Sequence, residues 1–248
     1  MAATNGYHLD PSDFSTMWQD SAGTVPVTAV GQPVGRILDK SGNGNHFTQP
    51  TSAARPLLQI DSGGRHFLLF DGVDDVLVSG SFAPGSDKVQ AFVGMRKLSD
   101  AVSAVPLAHG SNALAGGASS PAQTGAWAIR APLNTASANY TFSAQGTTRS
   151  TASSGSIPAP VTSVVSVTAD IASSQSSLLV NDLVQATSTA SMGTGNFNAY
   201  VASVGGLANS TNFGNYRIYQ AVARYGPNLS AAEITAINDF VNSKTGAY

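Results

Sequence analysis

The chain has 248 residues, 12 Lys and Arg against 14 Asp and Glu, a net charge of −2 and no cysteine. That balance excludes the basic stripe that nucleic acid demands and a polybasic membrane surface, and the missing cysteines exclude a disulfide framework and thiolate chemistry. Charged residues make up only 10%, far below the roughly 25% of an average domain, and Ser, Thr, Ala, Gly and Asn take their place.

Taken in chain order, residues 1–35 read as an extended lead-in broken by turns, with Met17–Asp20 as a short strand. MAATNGYHLDPSDF has neither the basic nor the apolar region of a signal peptide, so no signal-directed export is expected. No apolar run approaches the roughly 20 residues of a membrane span. Arg36–Asp39 and His46–Gln49 flank a loop, Lys40–Asn45, whose glycines and asparagines suit positive φ. Leu57–Ile60 and His66–Phe70 form a hairpin around Asp61–Arg65, and the second run is apolar throughout, which predicts a strand covered on both sides. Asp71-Gly72 turns the next corner into Val76–Val78, and Val89–Arg96 follows as a longer strand.

Residues 101–125 are rich in Ala, Gly and Ser and read as a short strand plus a long surface loop. Trp127–Arg130, Asn139–Phe142 and the β-branched run Val161–Asp170 are further strands. Leu178–Val184 reads as a hairpin turning at Asn181-Asp182. Val201–Leu207 and Asn215–Tyr225 complete the set. Strict alternation in the last strand places Tyr216, Ile218, Gln220, Val222 and Arg224 on one face. One helix is predicted, Ser230–Lys244, opened by the capping box Ser230…Glu233, striped by Ile234, Ile237, Phe240 and Val241, and stopped by Gly246.

About a dozen short strands between turn signals predict an all-β antiparallel sandwich, one domain over residues 1–248. Three motifs sharpen this: Asp39-x-Ser41-Gly42-Asn43-Gly44-Asn45-His46, Phe70-Asp71-Gly72-x-Asp74-Asp75-x-Leu77, and the Asn181-Asp182 turn between Leu179-Val180 and Leu183-Val184. Together they resemble concanavalin A-like jelly-roll domains of the laminin-G type, with Asp182 where that family usually has glycine. The helix after Asn228-Leu229-Ser230 is similar to the closing helix of such domains in bacteriophage tail and virion proteins. The resemblance runs from about Tyr7 to Gly246. It implies two curved sheets, a place on a virion or tail surface, and a cell-surface glycan or another virion protein as partner, with a trimer as one assembly. Some relatives hold calcium, and others are purely structural.

The same fold hosts glucanases, whose chemistry needs two carboxylates about 5–10 Å apart. The single glutamate, Glu233, is explained by its capping box, and Asp74 and Asp75 point to opposite faces if they lie on a strand. A polysaccharide hydrolase or lyase working through aspartates is therefore the alternative to a non-enzymatic binding module. Asp71, Asp74 and Asp75 offer the hard oxygens that Ca²⁺ prefers, and Asp74-Asp75 looks similar to an acidic dipeptide that helps hold calcium in pentraxins. No later acidic cluster completes such a site: Asp170 and Asp182 stand alone. The competing reading makes Asp71 a turn cap and pairs Asp74 or Asp75 with arginine. Gly42-x-Gly44 lacks the rest of a dinucleotide fingerprint. His8, His46, His66 and His109 show no metal-ligand spacing, and no Gly-x-Ser-x-Gly elbow marks a nucleophile. For glycan binding the expected groups are Trp127, Tyr140 and Tyr200 as platforms and Asn196, Asn198 and Asn212 as polar partners, centred on the loop Gly193–Asn198.

Overall fold

The computed structural model describes residues 5–110, 123–135, 137–208 and 211–248. The strands in chain order are β1 (Gly6–Leu9), β2 (Met17–Trp18), β3 (Arg36–Ile37), β4 (Phe47–Thr48), β5 (Leu57–Ile60), β6 (His66–Asp71), β7 (Leu77–Ser79) and β8 (Lys88–Lys97). They continue as β9 (Leu107–His109), β10 (Ala126–Arg130), β11 (Thr141–Gln145), β12 (Arg149–Ser153), β13 (Val161–Asp170), β14 (Gln175–Val180), β15 (Leu183–Ser188), β16 (Ala202–Val204) and β17 (Asn215–Tyr225), and helix α1 (Ala231–Thr245) ends the series. One sheet runs β15-β14-β13-β8-β17-β6-β5, with β1 added against β17 beyond the end of β6. The other runs β12-β11-β10-β9-β16-β7-β4-β3-β2. All pairings are antiparallel, so the predicted two-sheet sandwich with a C-terminal helix is the observed architecture.

Inward-facing side chains of both sheets make one continuous core, with Trp127, Phe142 and Leu107 from one layer against Tyr225, Val93 and Leu68 from the other. Tyr216, Ile218, Ala221, Ala223 and Tyr225 of β17 all join it. That breaks the alternation expected for this strand. The pairing with β8 shifts between Ile218 and Gln220, so Tyr219 is an extra residue in a β-bulge and the inward set changes parity there. Gln220, Val222 and Arg224 consequently face outward beneath the helix, on the side opposite to Tyr216 and Ile218.

The lead-in also differs from expectation. Residues 6–9 form β1, paired to β17 from Gly6↔Arg224 to Leu9↔Ala221. The Asp39–His46 motif is what seats it. Asp39 Oδ1 accepts the backbone N–H of His8 (2.9 Å) and of Ser41 (2.8 Å), while Oδ2 accepts from Ser41 Oγ (2.8 Å) and the Asn45 N–H (3.1 Å). Asn45 and Asn43 then donate from Nδ2 to the Gly6 carbonyl at 2.7 and 3.2 Å. The expected run 101–125 contains β9, and its residues 111–122 lie outside the described ones.

Helix α1 begins as read, with Ser230 Oγ accepting the Glu233 N–H and the Glu233 carboxylate accepting the Ser230 N–H at 2.8 Å. Gly246 ends it at φ +64°. Its buried side, Val241 with Ile234 and Ile237, packs on Phe92, Val164 and Val222 on the outer face of the β17-containing sheet. Phe240 falls at the edge of that stripe, 43% exposed, edge-on to His8 at 5.8 Å. Gly94 makes this seating possible, because a Cβ there would meet Thr245 Oγ1 and approach Val241 Cγ1 to 3.0 Å. The helix thus roofs the middle of this sheet and takes that surface away from any ligand.

Candidate functional site

The Asp71–Asp75 corner is a turn, not a strand start. Asp71 Oδ1 caps it by accepting the N–H of Val73 (2.7 Å) and Asp74 (3.4 Å), and Asp75 Oδ2 accepts the N–H of Asp71 (3.0 Å). One carboxylate oxygen from each of the three aspartates lies within 4.8 Å of the others. The two dipeptide carboxylates therefore sit together rather than on opposite faces of a strand. Asp75 is the buried member, 5% exposed. Burial first, then the charges of Asp71 and Asp74, push its pKa up to about 6. Among the described residues none of the three makes an ion pair with arginine. Asp170 and Asp182 hold structural contacts instead: Asp170 pairs with Lys88 at 3.3 Å, and Asp182 accepts from Asn238 Nδ2 at 2.8 Å. The corner offers three hard oxygen donors, and among the described residues no later acidic or histidine side chain joins them.

Asp74 also borders a groove of about 540 Å³ on the outer face of the β4-β7-β16 region. Thr48 and Thr51 line one side, Val76, Val78 and Ser79 the floor, and Val201, Ala208 and Phe213 the far side. Gln49 braces the near rim, donating from Nε2 to the Val76 carbonyl (2.8 Å) and accepting the Thr51 N–H (3.0 Å). Arg55 ties the same rim down through the carbonyls of Gln49, Pro50 and Gln19 at 2.8–3.0 Å. Phe213 reaches its place because Gly206 has no side chain: a Cβ there would stand 2.7 Å from Phe213 Cδ1. The ring is half-buried. Neither threonine hydroxyl nor the Asp74 carboxylate is engaged with another side chain or carbonyl among the described residues. The groove thus combines one aromatic surface with two hydroxyls and a carboxylate, a set matched to a ligand with both C–H faces and hydroxyls.

The expected glycan contacts are scattered. Trp127 and Tyr140 are fully buried, so neither offers a stacking surface. Trp127 Nε1–H is spent on Tyr225 Oη (2.9 Å) and Tyr140 Oη on Ser163 (3.1 Å), as large amphipathic rings in a core require. Asn198 Nδ2 and Tyr200 Oη both donate to the Thr124 carbonyl, at 2.9 and 3.0 Å. Asn212, at φ +57°, donates to the Ser103 carbonyl at 3.2 Å. His109 secures the same loop: burial lowers its pKa to about 4, and its neutral Nε2–H donates to the Asn198 carbonyl at 2.9 Å. Asn196 and Asn198 are both exposed, and Asn196 stands beside a second cavity of about 540 Å³ formed with Pro84–Lys88 and Pro227. The loop Gly193–Asn198 is anchored by Phe197, 2% exposed and 5.9 Å from Tyr225. Phe213, Thr48 and Thr51 escaped notice in the sequence. The available signal was an aromatic residue inside a Gly- and Asn-rich loop, Gly205–Gly214.

No protein-family model matches the chain, and no curated relative matches it. Solved structures do. The receptor-binding domain of botulinum neurotoxin D superposes with a TM-score of 0.58 at 10% identity, over 82% of this chain and 50% of that one. The binding domain of botulinum neurotoxin DC, solved in complex with SialylT, gives 0.59 at 12% identity over 83% and 48%. The same domain in complex with rat synaptotagmin II gives 0.58 at 12% identity over 83% and 49%. The likeness is one of fold. This chain spans about half the length of each of these binding domains.

Proposed function

We propose that this chain is a non-enzymatic recognition module of the concanavalin A-like type, displayed on a virion or phage tail, that binds a cell-surface glycan in the Thr48–Phe213 groove. The observation that carries the reading is the set of unspent groups there: Thr48, Thr51 and Asp74 around the half-buried ring of Phe213. The similarity of the Asp39–His46 and Phe70–Leu77 motifs to laminin-G-type domains, and of the helix after Asn228-Leu229-Ser230 to the closing helix of such domains in phage tail and virion proteins, supports the setting. The neurotoxin domains, solved with glycan or protein receptors, lend the sandwich a precedent for recognition.

The geometry speaks for binding over hydrolysis. Glu233 is committed to the helix cap. Asp75, the carboxyl group with the raised pKa, is buried behind the corner with Oδ2 bound to Asp71 N–H and does not line the groove where Asp74 stands. An acid and a base on the two sides of one glycosidic bond are not presented there.

A glycan array followed by NMR titration tests the proposal. Phe213→Ala and Thr48→Val are each expected to weaken a positive glycan by about tenfold, the scale of one lost anchoring contact, with chemical shifts confined to the groove rim. A silent array together with tight association to another virion protein would replace the glycan reading with a structural one. Turnover of a polysaccharide that is lost in Asp74→Asn would replace it with the hydrolase. Mass photometry reads trimeric assembly directly.

A further inference from the structure

Helix α1 covers the outer face of its sheet as far as Gly94 and leaves the next row bare. That row crosses five strands in register: Leu57, Leu69, Arg217, Arg96 and Thr162. Arg217 and Arg96 are directly opposite each other, at a spacing of roughly 5 Å between Cβ atoms, where like charges destabilise a sheet. The usual remedy, an interleaved carboxylate, is missing. All 14 acidic residues of the chain lie within the described residues, yet the ion pairs belong to Lys40, Arg65, Lys88, Lys97 and Lys244. Asp61, the acid bordering this row, is committed elsewhere: to Arg65, to Tyr219 Oη at 3.2 Å, and to the backbone N–H of Gly63 and Arg65 at 2.8 and 3.0 Å.

The two guanidiniums are held as a site would hold them. Arg217 lies over the Phe67 ring at 4.9 Å, and Arg96 is steadied by NH1 donating to Thr162 Oγ1 at 3.1 Å. Both are half-buried, and the Nε of each is buried without an acceptor. Nε is thus out of a ligand's reach, and it is the terminal NH groups of a fixed guanidinium that match an oxyanion in fork geometry. Beside Arg217 a cavity of about 460 Å³ opens over Gln59, Ser62, Phe67 and Leu69, giving an amide, a hydroxyl and apolar surface next to the charge; Asp61 lines it too, with its carboxylate taken up by Arg65 and Tyr219.

We propose that Arg96 and Arg217 form an anion-binding pair that takes a carboxylate or sulfate group of an acidic polysaccharide. It deepens the glycan reading by naming an acidic glycan, and it uses a surface separate from the Phe213 groove. The ligand replaces the carboxylate that the chain does not provide, and the Phe67–Gln59 cavity receives the neighbouring sugar.

Binding is measured to polygalacturonate, dextran sulfate and neutral dextran at about 50 mM salt, where screening leaves contact-range charge effects intact. The wild-type chain is expected to bind at least one acidic polymer about tenfold or more tightly than dextran, and the polymer preferred tells carboxylate from sulfate. Arg96→Gln/Arg217→Gln is expected to erase that preference. Arg217→Lys keeps the charge but loses the fork and is expected to lose a large part of it. Arg149→Gln, at an exposed arginine on β12 of the other sheet, is expected to keep it. Removing the like-charge contact leaves the melting temperature of the double variant unchanged or raised, which separates lost binding from lost folding. No preference in the wild type, full preference in the double variant, or an equal loss in Arg149→Gln each overturns the pair. A loss in Phe213→Ala alone moves the anion to the groove and overturns it as well.

Discussion

Trp127 donates its indole N–H to the hydroxyl of Tyr225 across 2.9 Å in the centre of the sandwich. The bond links β10 of one sheet to β17 of the other, and both side chains are essentially sealed from water. Burial drives the Tyr225 pKa strongly upward, so the hydroxyl stays neutral at any pH the fold survives. Tyr225→Phe is expected to strand the indole N–H and cost about 1–3 kcal/mol, the penalty of an unsatisfied buried donor. Urea unfolding reads it. Trp127→Phe removes the donor together with its partner's need and adds a cavity, so the two variants are expected to be strongly non-additive.

The Asp39 carboxylate accepts four hydrogen bonds, and one of them, from His8, fixes β1. Asp39→Ala is expected to destabilise the chain by about 3 kcal/mol, since bonds to a charged acceptor carry more than neutral ones. Amide exchange locates the effect: His8, Ser41 and Asn45 lose protection, while the amides of β13 keep it until global unfolding.

Asp75 sets a pH signature. Its folded pKa of about 6 lies above the ordinary 3.8, so between these values the native state binds a proton that the unfolded chain releases. Stability from this group is therefore highest below pH 4, falls as pH rises to about 6, and stays low above it, by an order of 3 kcal/mol. Asp75→Asn, which retains an acceptor for the Asp71 N–H, is expected to raise the melting temperature at pH 7.5 and flatten this slope. The same corner gives the calcium test. A cation seated among Asp71, Asp74 and Asp75 would lower that pKa and raise the wild-type melting temperature at neutral pH, and a melt indifferent to both Ca²⁺ and EDTA leaves the corner as a capped turn.

Gly94→Ala is expected to lift the end of α1 from its sheet, because the new methyl group falls on Thr245 Oγ1 and near Val241. A cost of about 1–3 kcal/mol follows from overpacking, and Thr245→Ala in the same chain is expected to restore part of it. Circular dichroism distinguishes a shifted helix from a melted one.

How far the sequence could be read depended on how much signal each segment carries. Val161–Asp170 and Asn215–Tyr225 match β13 and β17 at both ends, because long β-branched and aromatic runs have few competing readings. The Asn181-Asp182 turn was legible from residue type, and both residues adopt positive φ, 52° and 60°. β12, Arg-Ser-Thr-Ala-Ser, was not, since its single inward apolar residue is Ala152 and its place is fixed by pairing to β11. The site was harder. Trp127 and Tyr140 carry the groups a sugar wants, and a sequence does not say which way a strand faces. Phe213 depends on Gly206 and on a groove shared with Thr48, more than 150 positions away, a juxtaposition that tertiary pairing alone creates.

The bulge at Tyr219 has one more consequence. Because a single unpaired residue separates the Tyr216/Ile218 half of β17 from the Ala221/Ala223/Tyr225 half, the strand runs in two phases that cannot be merged. Deleting Tyr219 would restore one unbroken phase and force a choice: either the arginine-bearing half or the half that holds β1 turns inside out. The strand at the middle of the sandwich is therefore the place where the chain's length is counted to the residue, while the surface loops around it are free to vary.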